Sequence, residues 1–350
     1  MSLDRGIVAS LAAAVLFGAG TPVAKILLEE LSPLMLAGLL YLGSGLGLFA
    51  LLGLRIAFGG GERITWPRGK EIAWWLGAIL AGGAIGPYLL MRGLQATDAG
   101  SASLILNLEA VFTAWLAWFV FRENFDRRIA LGMTLIVAGG CVLAAGTALR
   151  GGSSWIGPLA IAGACLAWAV DNNLTRKIAL HDAMLIACVK GLLAGSASVA
   201  LAMSTGHTLP NGATALRAGA LGFVSYGLSL TLFVVALRSL GTARTGAYFS
   251  LAPFIGAALG VALGAPLSLA LVAAGLLMAA GVWLHLTERH GHRHRHAATV
   301  HEHEHIHDEH HRHPHDPAWN GIEPHAHAHT HEALVHTHEH FPDTHHRHAH

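Results

Sequence analysis

The sequence predicts an all-α membrane protein: ten transmembrane helices as two inverted five-helix repeats, followed by a disordered tail. Three observations predict this. Of the 350 residues, 53% are hydrophobic and only 12% charged, whereas soluble domains carry about 25% charged residues. Apolar runs recur through residue 286, each near the span of about 20 residues that crosses a bilayer. Segments of the first half also reappear in the second.

The runs are Ile7–Ala24, Pro33–Leu54, Ile72–Met91, Ala99–Phe121, Ile129–Leu149, Trp155–Leu174, Ala183–Met203, Ala213–Ala236, Thr245–Leu263 and Leu267–Leu286. They are too long and too uniformly apolar for membrane strands. Short connections make neighbouring runs antiparallel hairpins. Pro87 with Gly86, and Pro253, mark kinks. The 42 glycines are small enough to let membrane helices approach closely. The first run follows a single arginine and shows no cleavage site, so it reads as a retained span. Cys141, Cys165 and Cys188 lie in separate apolar runs without CxxC spacing and read as buried thiols.

Basic residues set the orientation. With a cytoplasmic N-terminus, thirteen lysines and arginines fall in inside loops and four (Lys25, Arg92, Arg150, Arg217) in outside loops. Ten spans then place both termini in the cytoplasm.

The repeat is seen in two alignments. LFGAGTPVAK (Leu16–Lys25) matches AWAVDNNLTR (Ala167–Arg176), each an aromatic followed eight positions later by a cation. Gly93–Phe112 aligns without gaps onto Ala236–Ile255. Five spans per half, an odd number, oppose the two halves, as in secondary transporters whose site lies between them near the midplane. The domains are therefore 1–149, 150–289 and 290–350.

Glu109 sits near the middle of the fourth run. An ionised acid there costs roughly 2.5–3.5 kcal/mol on insertion scales, so it needs a partner, a wet cavity or a proton. At about 100° per residue, Ala102, Leu106, Glu109 and Thr113 share one helix face. Glu109 is either a transport residue or a neutral acid bonded to a neighbouring helix. Asp171, Asn172 and Asn173 lie near the cytoplasmic end of the sixth run, with a gating role or a capping one. Lys190 lies deeper, in the seventh, with Asp171 or Glu109 as partner. Tyr88, Tyr226, Tyr248 and Trp168 either line a cavity or pack. No phosphate loop, catalytic triad or HExxH motif occurs in the runs, which excludes the common enzyme classes and requires no cofactor.

Residues 290–350 hold 23 of the 26 histidines. Neutral imidazole binds zinc, nickel, copper and cobalt. His292, His294, His296, His301, His303, His305, His307, His310, His311, His313 and His315 are the candidate ligands for a divalent transition metal. With few apolar groups, this tail is expected to be disordered without metal. Interrupted runs such as HEHEHIHDEHHRHPH read as native rather than as an expression tag.

The segments FGAGTPVAK, ATDAGSASLILNLEAVFTAWLAWFVFRE, AWAVDNNLTRK and GAYFSLAPFIGAALGVALG, in this order, resemble the EamA-type branch of the drug/metabolite transporter superfamily over residues 5–287. Two positions depart from that pattern. The fourth run reads Leu108-Glu109-Ala110 where the family has proline, and the second lacks an embedded arginine near Leu39, while the seventh has Lys190. The resemblance implies export of a small organic metabolite (an amino acid, a drug or a related solute) across the inner membrane, by alternating access coupled to protons. A divalent-metal efflux carrier, or a metal-regulated transporter, is the alternative that the tail raises. The expected partners are a small-molecule substrate, the lipid bilayer and transition metal ions, with no nucleic acid; the protein is expected to be a monomer or homodimer.

Overall fold

The structure, a computed structural model, describes residues 5–58, 66–121, 127–149, 155–178 and 181–286, and the backbone of 291–295, 299–305, 325–331 and 335–339. It divides into two units, Met1–Thr287 and Glu288–His350.

The described part of the first unit is helical: α1 (Arg5–Leu27), α2 (Pro33–Ala57), α3 (Lys70–Ala78), a π-helical segment (Ile79–Ile85), α4 (Gly86–Ala96), α5 (Ala99–Ile105), α6 (Leu108–Phe121), α7 (Arg127–Leu149), α8 (Ile156–Thr175), α9 (Ala183–Ser204), α10 (Gly212–Gly222), a second π-helical segment (Phe223–Leu228), α11 (Ser229–Phe249), α12 (Ala252–Ala262) and α13 (Leu269–Leu286). Helix starts follow the sequence. Ser32, Asp98, Asp182 and Asn211 each accept a hydrogen bond from the backbone N–H three residues on, capping α2, α5, α9 and α10.

Among the described residues, seven stretches are long and apolar enough to span a membrane: Arg5–Leu27, Pro33–Ala57, Lys70–Ala96, Ala99–Leu116, Arg127–Gly146, Ala183–Ser204 and Gly212–Ala236. Of the three other expected runs, the sixth coincides with the 20-residue α8. The ninth is split, Thr245–Phe249 ending α11 and Ala252–Ala262 forming a shorter apolar helix, and the tenth coincides with the apolar helix Leu269–Leu284.

Three expectations are corrected. The fourth run is not one helix: it breaks at Leu106–Asn107, where Asn107 Nδ2 bonds the Leu104 carbonyl and competes with the helical ladder. Glu109 is therefore out of phase with Ala102 and Leu106. The expected turn at 237–244 is instead helical, inside α11; it contains no proline, and Gly241 alone does not stop a helix. In the tail, the described backbone carries four strands: β1 (Gly291–Arg295), β2 (Thr299–His305), β3 (His325–His331) and β4 (Val335–Glu339). Antiparallel ladders join β1 to β4 and β2 to β3. The alternation of His–x–His has the period of a strand.

Helix pairing in the first unit rests on glycine. α2 lies along α9, α7 along α13, α1 against α11 and α12, and α8 against α4 and α6. A Cβ on Gly45 of α2 would stand 2.5 Å from Leu192 N, and one on Gly191 of α9 would stand 2.7 Å from Gly45 N. Backbones this close are a hallmark of small-residue membrane interfaces. The core between them is built of buried leucine, isoleucine, methionine and alanine, with Met35, Leu40, Met91 and Ile105 essentially sealed.

Candidate functional site

The polar groups of the bundle collect where α8 and α9 meet the first π segment and where α6 packs on α8. Asp171 of α8 and Lys190 of α9 form an ion pair, Lys190 Nζ lying 2.7 Å from both carboxylate oxygens. Their side chains are 10% and 15% exposed. Thr175 donates a further bond to Asp171 at 3.0 Å. A buried pair of this kind is tolerated when its remaining valences are met. Lys190 thus selects Asp171, not Glu109.

Gly82 and Gly83 make room for the pair. A Cβ on Gly82 would overlap the Asp171 carboxylate, and one on Gly83 would stand 2.7 Å from the Ala194 side chain and 3.1 Å from Lys190 Cγ. π-helical geometry displaces the backbone ladder, and here the Gly82 carbonyl accepts two side-chain donors: Tyr41 Oη at 2.7 Å and Trp168 Nε1 at 3.0 Å.

Glu109 opens α6, just past the break. Its Oε1 accepts a 2.9 Å bond from Asn172 Nδ2, which also reaches Thr113 Oγ1. Asn173 donates to the Thr113 and Ala169 carbonyls. No basic side chain among the described residues pairs with Glu109. The break also exposes the Ile105 and Leu106 carbonyls to Cys165 Sγ, a buried thiol on α8.

An aromatic row continues from the polar cluster. The Tyr41 ring lies 5.6 Å from Tyr226, Tyr226 lies 5.8 Å from Phe17, and Phe17 lies 5.4 Å from Phe249. Tyr41 therefore joins the ionic groups of α8 and α9 to rings on α1, α11 and the second π segment.

Of the predicted residues, Glu109, Asp171, Asn172, Asn173, Lys190 and Trp168 come together, and Tyr226 joins through Tyr41. Tyr88 does not: it is 38% exposed on α4. Tyr248 is half-buried on α11, and no described hydrogen bond ties it to the cluster. Tyr41, Gly82 and Phe17 were not singled out in the sequence, whereas Thr113 was placed on the Glu109 face. Tyr41 is one of four tyrosines, and the Gly82-Gly83 pair ahead of Gly86-Pro87 was the available signal. His296, His307, His310, His311, His313 and His315 lie outside the described residues; His292, His294, His301, His303 and His305 have their backbone in β1 and β2. No group of three or more metal-ligating side chains occurs among the described residues.

Four contacts tie residues before 150 to residues after it, away from the cluster. Glu30 accepts from Arg217 and Thr214, both at 2.7 Å. Its carboxyl is held below the usual range by the Thr214 and Arg217 hydrogen bonds. Arg55 donates to Asp182 at 2.6 Å, and His181 meets Glu71 at 3.1 Å. Burial pushes Asp182 up, but bonds from the Leu185 N–H and Arg55 outweigh it and hold the acid low.

The sequence profile of the EamA-like transporter family matches residues 4–145 and 155–287. The chain belongs to the EamA-like transporter family. It is similar to an "uncharacterized transporter" of Methanothermobacter thermautotrophicus, 28% identical over 80% of this chain and 85% of the relative. A "probable amino-acid metabolite efflux pump" of Salmonella typhimurium is 29% identical over 52% of this chain and 56% of the pump. A flippase subunit of Pseudomonas fluorescens, ArnE, named for 4-amino-4-deoxy-L-arabinose-phosphoundecaprenol, is 37% identical over 19% of this chain and 57% of its own length. A solved crystal structure shares the fold at TM-score 0.59 and 20% identity, over 79% of this chain and 95% of its own. The protein is thus a multi-pass membrane transporter, not an enzyme, with a small-molecule substrate and a lipid environment.

Proposed function

We propose that the chain is a proton-coupled secondary transporter exporting a small organic metabolite by alternating access. The observation that carries this reading is the cluster of Glu109, Asp171, Asn172 and Lys190 on α6, α8 and α9, in which Asp171 is buried, Glu109 and Lys190 are half-buried and Asn172 is exposed, beside an apolar core. Asp171 and Lys190 hold the helices in register. Glu109, without a cation, is the group that exchanges a proton.

Ten spans in two inverted halves are part of the proposal. Packing supports it: α1 lies on α11, α12 and the second π segment as α8 lies on α4, α6 and the first. The repeat alignment sets Gly20 against Asp171 and, carried back, Gly82 against Ser225. In one half glycine of the π segment faces Asp171; in the other Ser225 faces Gly20, whose Cβ would lie 3.0 Å from it. The small and large partners have changed places. The excess of basic residues on one side supports cytoplasmic termini. The pump among the relatives is named for amino-acid metabolites, which supports an amine-bearing cargo and outward transport.

The test is efflux from reconstituted vesicles, with a metabolite pool inside and an imposed pH gradient. Wild type is expected to release a defined solute only with the gradient, and Glu109→Gln to insert normally and lose the response. Equal gradient-driven release by both forms would remove Glu109 from the mechanism.

A further inference from the structure

Resting on that transport reading, we infer that the cargo carries one net positive charge, as an organic ammonium on an apolar or aromatic body. Among the described side chains, the charged groups facing the site are Asp171 from α8, Lys190 from α9 and Glu109 from α6; Tyr41 of α2, Tyr226 of the second π segment and Cys165 of α8 are the other titratable ones. Lys190 holds both Asp171 oxygens at 2.7 Å and has no charge left over. Among the described residues, the one hydrogen bond that Glu109 receives from a side chain comes from a neutral amide, Asn172 Nδ2. With Glu109 ionised the cluster therefore carries a charge of −1.

A zwitterion would bring a carboxylate as well as an ammonium. Its carboxylate would need a cation, and taking Lys190 would strand Asp171 in the bundle. A monocation needs only Glu109. Its body has a surface waiting, since the Tyr41–Tyr226–Phe17 row begins beside the ionic groups, and aromatic faces attract ammonium groups. Proton and cargo then satisfy the same carboxylate in turn. One proton exchanges for one cation, and the cycle moves no net charge.

The experiment titrates the full-length protein in lipid nanodiscs, at pH 8, with three probes sharing one ring: phenethylamine, phenylalanine and 2-phenylethanol. Phenethylamine is expected to bind at least about tenfold more tightly than either other probe, the scale of one charge-assisted contact. Its binding is expected to weaken as pH falls and to drop about 30-fold or more in Glu109→Gln. The wild-type probe comparison stands without that variant. Equal or tighter binding of phenylalanine or phenylethanol, or no binding of phenethylamine, would overturn the charge assignment. The vesicle efflux assay separates this failure from that of the transport reading: Glu109-dependent efflux of a zwitterionic or anionic solute would leave the transporter standing and the cationic cargo refuted.

Discussion

Replacing Gly82 by alanine puts one methyl group where the structure has none to spare. The new Cβ would overlap the Asp171 carboxylate and lie 2.6 Å from Asp171 Cβ, against an ordinary carbon–carbon separation of about 3.5–4.0 Å. Either Asp171 or the π segment must move by roughly 1 Å. Overpacking of this kind typically costs about 1–3 kcal/mol. Movement of Asp171 also stretches the 2.7 Å bonds to Lys190, and a broken buried pair costs about 3–5 kcal/mol. A loss of about 2–4 kcal/mol is expected, because the two effects overlap. Gly53→Ala is the control, since nothing stands within 4 Å of a Cβ there. The assay is the thermal midpoint in one detergent, with gradient-driven efflux beside it. Gly82→Ala is expected to lower both, and Gly53→Ala to leave both near wild type. Wild-type stability and efflux in Gly82→Ala would refute the tight seating of the pair.

Lys190→Met and Asp171→Asn are each expected to destabilise by about 3–5 kcal/mol, while the double variant loses clearly less than their sum; additive losses in thermal midpoint would show that the two do not interact. Asp182 is held below its unfolded value, so its contribution is present above the unfolded pKa of about 3.9 and is lost as pH falls through the lower folded one. Arg55→Ala should accordingly lower stability at pH 7 and matter much less near pH 3; an equal loss at both would assign Arg55 a packing role. Truncation to Met1–Arg289 is expected to leave insertion and basal efflux intact and to remove any response to micromolar zinc or nickel. A metal response that survives truncation would clear the tail of that role.

The spans were readable because lipid demands long apolar helices, and Glu109, Asp171 and Lys190 stood out against them. Their partners were less readable. Helix phase alone put Glu109 in line with Ala102 and Leu106, but Asn107 turns its amide onto the Leu104 carbonyl and resets the phase. Lys190 had two acids within plausible reach, and the choice of Asp171 depends on a close approach that Gly82 permits. Tyr41 looked like one aromatic among many in an apolar helix; its role comes from a carbonyl freed by a π segment 41 residues away. Such contacts are set by tertiary packing, which periodicity does not encode.

Alternating access requires that the cluster face each side of the membrane in turn. Thr113 offers the most direct probe, since it is half-buried and bonded to Asn172 beside Glu109. A Thr113→Cys variant, with Cys141, Cys165 and Cys188 replaced, would be labelled by an impermeant thiol reagent from either face of oriented vesicles. Labelling from both faces, with the balance shifted by reversing the pH gradient, is the result expected. Labelling from one face only, under either gradient, would contradict alternating access at this site.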